Sequence, residues 1–231
     1  YGLAEGAMGM GVGAAVISGN DKRFGGSPYI NQEWVLVNGG PGTPTSDGWL
    51  NYGLPVAAGL IYRGSVEVEE SKHPILIKHL RVVEGGGGAG EFRGAPGGDV
   101  MYGPRFDPMT VITMCDAHVN APQGVQGGHA GPLAQTYKIS SDGNKEKLPG
   151  VVECQLQPGE WVQGIDAGGG GYGNPLTRDP ERVLRDVLER WETEERAESI
   201  YGVILQGSRA NQDLRVDTDA TAALRGEMTA D

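Results

Sequence analysis

The sequence predicts a mainly β (α+β) protein, a glycine-rich multi-stranded β body followed by a short helical tail. Three observations carry this. Glycine makes up 40 of 231 residues, against a usual level of about 7%, and 37 of the 40 lie before residue 175. The region up to residue 174 reads as short β-rich runs between turns. From Asp179 onward the apolar residues change to a spacing near 3.6. The division is therefore 1–174, the body, and 175–231, a charged tail packed on it.

Taken in order, Val35–Val37, Leu54–Tyr62 and Ser65–Glu69 read as strands, the last because Val66 and Val68 alternate with polar neighbours. Ile75–Val83 is the strongest strand, apolar and β-branched, stopped by Glu84-Gly85. Met109–Met114 and Thr136–Ile139 follow. Val151–Leu156 and Glu160–Ile165 read as a hairpin across Gln157-Pro158-Gly159, a Pro-Gly turn. Strands at this spacing suit a sandwich or barrel. In the tail, Asp179 is a cap, Pro180 fits the first helical position, and Glu181 suits the positive helix end. Val183, Leu184, Val187, Leu188 and Trp191 form one apolar face. A second helix starts at Thr193-Glu194-Glu195, with Ala197, Ile200 and Tyr201 inward, and stops at Gly202. Tyr201–Gln206 reads as a last strand and Asp217–Gly226 as a third, weaker helix.

Composition sets limits on function. With 19 basic and 30 acidic residues the net charge is −11, which disfavours nucleic acid and anionic membrane as partners. There is no apolar run of membrane-spanning length and no basic leader at the N-terminus. Cys115 and Cys154 form no CxxC pair, so a reduced, cytoplasmic protein is the simpler expectation, with a single disulfide as the alternative. The chain begins at Tyr1, which reads as processing or as part of a longer product.

Gly168–Gly173 satisfies GxGxxG after a strand, but the next helix starts too late for those glycines to sit on its N-terminus. The alternative is a backbone packed so closely against another segment that no Cβ fits. Cys115, Asp116, His118 and His129 are all potential metal ligands, yet their spacing matches no standard zinc pattern. Asp116 and His118 end a strand, where sites are often built. His73 and His79 flank a strand and read as structural; alternation puts His79 on the face of Ile75 and Ile77. Glu5 is a lone acid among small residues, facing solvent, a partner or a ligand. There is no nucleophile elbow. The candidate catalytic residues are therefore Glu5, Asp116 and His118, with no metal or cofactor assigned to this chain.

Four stretches in order, Val66–Ile75, Glu84–Gly94, Cys115–Gly128 and Gly168–Leu205, resemble the hydantoinase B/oxoprolinase family. Within them the marks are His73-Pro74, Gly85–Gly90, Pro122-Gln123-Gly124, Asn174-Pro175 and Tyr201-Gly202. The resemblance runs from about Gly2 to Gln206, and it is to the C-terminal part of that family's large subunit. It implies a multi-subunit, ATP-dependent amidohydrolase acting on a cyclic amide, hydantoin- or oxoproline-like. The alternatives are a subunit of an ATP-dependent ketone carboxylase and a non-catalytic structural subunit. The resemblance also implies ATP with Mg on a hydantoinase A-type partner. A divalent metal is expected on a chain equivalent to the N-terminal half of the large subunit, with a small-molecule substrate, and this chain would supply a wall of the site.

Overall fold

The computed structural model describes residues 2–6, 9–33, 35, 37–50 and 63–229. Two five-stranded antiparallel sheets form the body. The first contains β1 (Gly9–Met10), β2 (Val16–Asp21), β3 (Ser27–Gln32), β6 (Met109–Cys115) and β9 (Val151–Leu156). The second contains β4 (Ile75–Val82), β5 (Gly98–Pro104), β7 (Gln135–Ile139), β8 (Lys145–Leu148) and β10 (Trp161–Ile165), in the order β4-β5-β10-β7-β8. In the first sheet β6 is central: β9 lies on one edge, and β1 and β2 share the other.

The sheets bury their inner faces against each other. Ile17, Met109, Val111 and Leu156 come from the first sheet; Ile75, Val100, Tyr102 and Val162 come from the second, in one cluster. Along β6 burial alternates, with Met109, Val111 and Thr113 buried and Ile112 and Met114 exposed. This is the period of two that a half-buried strand requires.

Several expectations need correction. Val151–Leu156 and the strand after it both exist, and Glu160 N–H closes the turn on Gln157 O at 2.9 Å. They do not form a hairpin, because β9 pairs with β6 and β10 with β5 and β7. The Pro-Gly turn passes the chain from one layer to the other. Residues 65–69 form the start of α1 (Val66–Lys72), not a strand. Glu67, Glu69, Glu70 and Lys72 are good helix formers, and Val68 is exposed while Glu69 is buried, the reverse of the strand reading. Val35 and Val37 are buried but belong to no strand. Leu54–Tyr62 lies outside the described residues. A bulge between Ile77 and His79 shifts the β4 register, so Leu80 faces the core and His79 the opposite side.

The tail keeps its expected starts. Asp179 accepts from Glu181 N–H at the head of α2 (Pro180–Leu188), and Thr193 accepts from Arg196 N–H at α3 (Glu194–Ser199). Val183, Leu184, Val187, Ala197 and Tyr201 pack with Ala89 of the body, but Leu188 is half exposed. Gly202 takes φ +60°, a value suited to a helix stop. The last strand shrinks to β11 (Leu205–Gln206), paired with β12 (Arg215–Val216), and α4 covers Thr218–Met228 with Asp217 as its cap.

An ion network joins tail to body. Arg178, 1% exposed, binds Asp47 at 2.7 Å and Asp186 at 2.7 Å; Arg93 binds Asp186 at 3.0 Å and Arg182 binds Asp47 at 2.8 Å. Arg178 also donates to Glu91 O at 2.8 Å. Burial alone would raise the Asp47 carboxyl, but the Arg178 hydrogen bond and the charges of Arg178, Arg93 and Arg182 hold it below its ordinary value.

Candidate active site

The glycine segments act as structure. Gly169 donates to Ala95 O, Gly170 to Glu5 O, Gly171 to His129 O, Tyr172 to Phe92 O and Gly173 to Val125 O, all at 2.8–3.0 Å. A Cβ on Gly168, Gly169, Gly170 or Gly171 would fall on the backbone of Gly86, Gly40, Gln123 or Ala89 respectively. The segment is therefore the shared centre of a bundle of extended chains, each bonded to different neighbours. The N–H groups of residues 169–173 are committed to carbonyls, so they form no cradle for phosphate. ATP does not fit this motif.

The bundle fixes the N-terminal segment beside the end of β6. Glu5 N–H donates to Gln123 O, Gln123 N–H donates to the Glu5 carboxylate, both at 2.9 Å, and Glu5 O receives Gly170 N–H. Immediately after β6 the chain turns through Ala117, at φ +59°, a conformation uncommon for a residue with a Cβ. Ala134 N–H anchors Ala117 O at 2.9 Å. A cavity of about 490 Å³ opens here, lined by Glu5, Cys115, Asp116, His118, Asn120 and Val151 among others. All three residues singled out from the sequence thus meet at one place.

Their roles differ. His118 has both ring nitrogens engaged: Nδ1 lies 3.1 Å from Cys115 O and Nε2 3.1 Å from Thr136 Oγ1. A carbonyl only accepts, so Nδ1 carries the proton and, in the neutral ring, Nε2 accepts from the threonine hydroxyl. His118 staples the loop. Glu5 and Asp116 are exposed and put negative charge at the rim. Beneath them, burial pushes the Cys115 thiol far up, with the charges of Asp166 and Asp116 adding to it. Asp166 is itself buried, and this raises its carboxyl to about 7 against a hydrogen bond from Val37. A Cβ on Gly11 would sit 2.6 Å from Asp166 Oδ1 and 3.4 Å from Cys115 Sγ, so Gly11 makes room for both. Both cysteines are free.

A larger cavity, about 700 Å³, lies between β4 and the end of α2, with Arg81, Asp99, Arg190 and Trp191 in its wall. Its carboxylate is saturated: Asp99 receives His79, Arg81 and Gln163 at 2.6–3.0 Å. Burial would raise Asp99, but these hydrogen bonds keep it below its ordinary value. His79 is structural, as expected, through a carboxylate on the face opposite to the one assigned by alternation.

Sequence reasoning missed a third group. Glu33, Glu69 and His73 bring one ligand atom each to within 4.8 Å of one another. Glu33 was visible only as an acid heading the apolar run from Trp34 to Val37. Glu69 was hidden by the strand reading of its helix.

The sequence matches the hydantoinase B/oxoprolinase family over residues 3–175. The chain belongs to that family. It is 30% identical over 197 residues to the caprolactamase subunit beta of Pseudomonas jessenii, covering 83% of this chain and 34% of that protein. It is 27% identical over 252 residues to the acetophenone carboxylase delta subunit of Aromatoleum aromaticum, covering 95% and 36%. The crystal structure of the ATP-dependent caprolactamase from P. jessenii superposes with a TM-score of 0.75 at 26% identity, covering 96% of this chain and 38% of that one. A nucleotide-free acetone carboxylase shares the fold, with a TM-score of 0.69 at 18% identity. The chain thus spans about a third of the length of these relatives. Among the described residues no helix is long and apolar enough to cross a membrane.

Proposed function

We propose that this chain is part of a multi-subunit, ATP-dependent amidohydrolase of the cytoplasm that opens a cyclic amide, and that the cavity at Glu5, Asp116 and His118 forms one wall of its substrate site. The observation that carries the reading is the convergence of the segment around Glu5 and the 115–120 loop on one cavity, in a chain of this family. In this reading ATP and Mg bind a hydantoinase A-type subunit. The N-terminal portion of the large subunit closes the other side of the cavity. Exposed Leu3, Met114, Val119 and Val151 around the cavity region suit such a cover, since exposed apolar clusters mark interaction sites. Glu5 and Asp116 accept hydrogen bonds from the substrate's N–H edge, and His118 holds the loop that presents Asp116.

The test is ATP-dependent hydrolysis of hydantoin and 5-oxoproline by the assembled enzyme carrying Asp116→Asn or Glu5→Gln. A fall in kcat of at least about tenfold with unchanged assembly, the scale of one lost charge-assisted contact, supports the reading. Unchanged turnover assigns the chain a structural role. The match to a carboxylase subunit over 95% of this chain keeps a second reading, an ATP-dependent ketone carboxylase. It predicts turnover of acetone or acetophenone only with bicarbonate.

A further inference from the structure

We propose that Glu33, Glu69 and His73 form a binding site on this chain for a divalent transition-metal ion of the Zn²⁺ or Mn²⁺ kind. Glu33 is fully buried, and both of its carboxylate oxygens are buried without a hydrogen-bond partner. A carboxylate in that position is very costly unless a cation or a proton compensates it. The other two ligand atoms converge on it: Glu69, 5% exposed, from the middle of α1, and His73 from its C-cap. The spacing places them on one side of α1, because residues four apart lie one above the other on a helix. The helix bond from His73 N–H to Glu69 O, 2.9 Å, fixes their separation.

The surroundings fit a metal better than a side-chain cation. Lys72 reaches Glu69 at only 3.8 Å and is 58% exposed, so it compensates that carboxylate from outside. Arg23 is committed to Asp21 and to the carbonyls of residues 70–72. Two carboxylates and one imidazole form a mixed oxygen–nitrogen set, which favours Zn²⁺, Mn²⁺ or Fe²⁺ over Ca²⁺ and Mg²⁺. Three protein ligands leave a position for water.

The experiment is metal analysis of the assembled protein, stripped with chelator and re-exposed to Zn²⁺ or Mn²⁺ alone, alongside Glu33→Gln and His73→Asn. The expected result is one more ion per chain in wild type than in either variant, with affinity weakened by at least about tenfold in the variants. Zn²⁺ or Mn²⁺ should also raise the melting temperature of wild type but not of Glu33→Gln. Equal metal content in wild type and variants overturns the proposal. So does a Glu33→Gln protein that is more stable than wild type with no metal effect on either, since Glu33 is then a buried neutral acid.

Discussion

Replacing Arg178 by Met tests the junction between tail and body. The side chain is 1% exposed and makes four short contacts to Asp47, Asp186 and Glu91 O. Removing one partner from a buried ion pair costs about 3–5 kcal/mol. The lower end applies here, because Asp47 keeps Arg182 and Asp186 keeps Arg93. At about 2–4 °C per kcal/mol for a chain of this size, about 3 kcal/mol lowers the melting temperature by about 6–12 °C. Circular dichroism melts of both proteins give the number. Limited proteolysis locates the loss, with early cuts expected after residue 175. Adding Asp186→Asn should cost less in the Arg178→Met background than in wild type, by about 1 kcal/mol. A drop below about 2 °C, or strictly additive costs, refutes the view that this network holds the tail.

Other outcomes follow from the same geometry. Gly169→Ala places a methyl on Gly40 O and should abolish soluble, folded protein, whereas Gly226→Ala, with open space around it inside α4, should stabilise by about 0.5–1 kcal/mol in the same melts. Asp166 keeps its proton in the folded state up to about 7 but releases it near 3.8 when unfolded. Its effect is therefore a loss of stability as pH rises from about 4 to 7. Asp166→Asn, which retains an acceptor for Val37, should flatten that decline in urea titrations taken across the window. Asp47 acts oppositely: its contribution is complete above 3.8 and is lost as pH falls through its lowered folded value, so an acid-unfolding limb should move upward in Arg178→Met.

The strands legible in the sequence were those rich in apolar or β-branched residues, such as β4, β6 and β9. β5 was not, because Gly98, Asp99 and Gly103 interrupt it; the glycines give room to neighbouring backbone and side chains, and Asp99 is satisfied across the sheet. β2 and β3 were hidden by polar residues, including Asn20, Asp21 and Asn31, which interrupt their apolar pattern. The bulge in β4 cannot be seen in a period-two pattern, so His79 was assigned to the wrong face. The candidate site was partly legible: the end of β6 pointed to Asp116 and His118. That Glu5 joins them depends on a bond to Gln123, 118 residues away, which local pattern cannot reveal. Asp166 and Glu33 stayed hidden because nothing local marks a carboxylate that the fold will bury.

The glycine bundle also governs how the chain comes to fold. Its members come from near residues 5, 40, 90, 125 and 170, and each is held by the others. Almost no bond in it is local, and glycine backbone loses more freedom on ordering than any other. No member is stable until the last one arrives. A ribosome-bound chain therefore cannot close the bundle before Gly173 has emerged. The bonds that the segments near residues 5, 40, 90 and 125 make to residues 169–173 stay open until then, the exposure expected of a topology dominated by distant pairings.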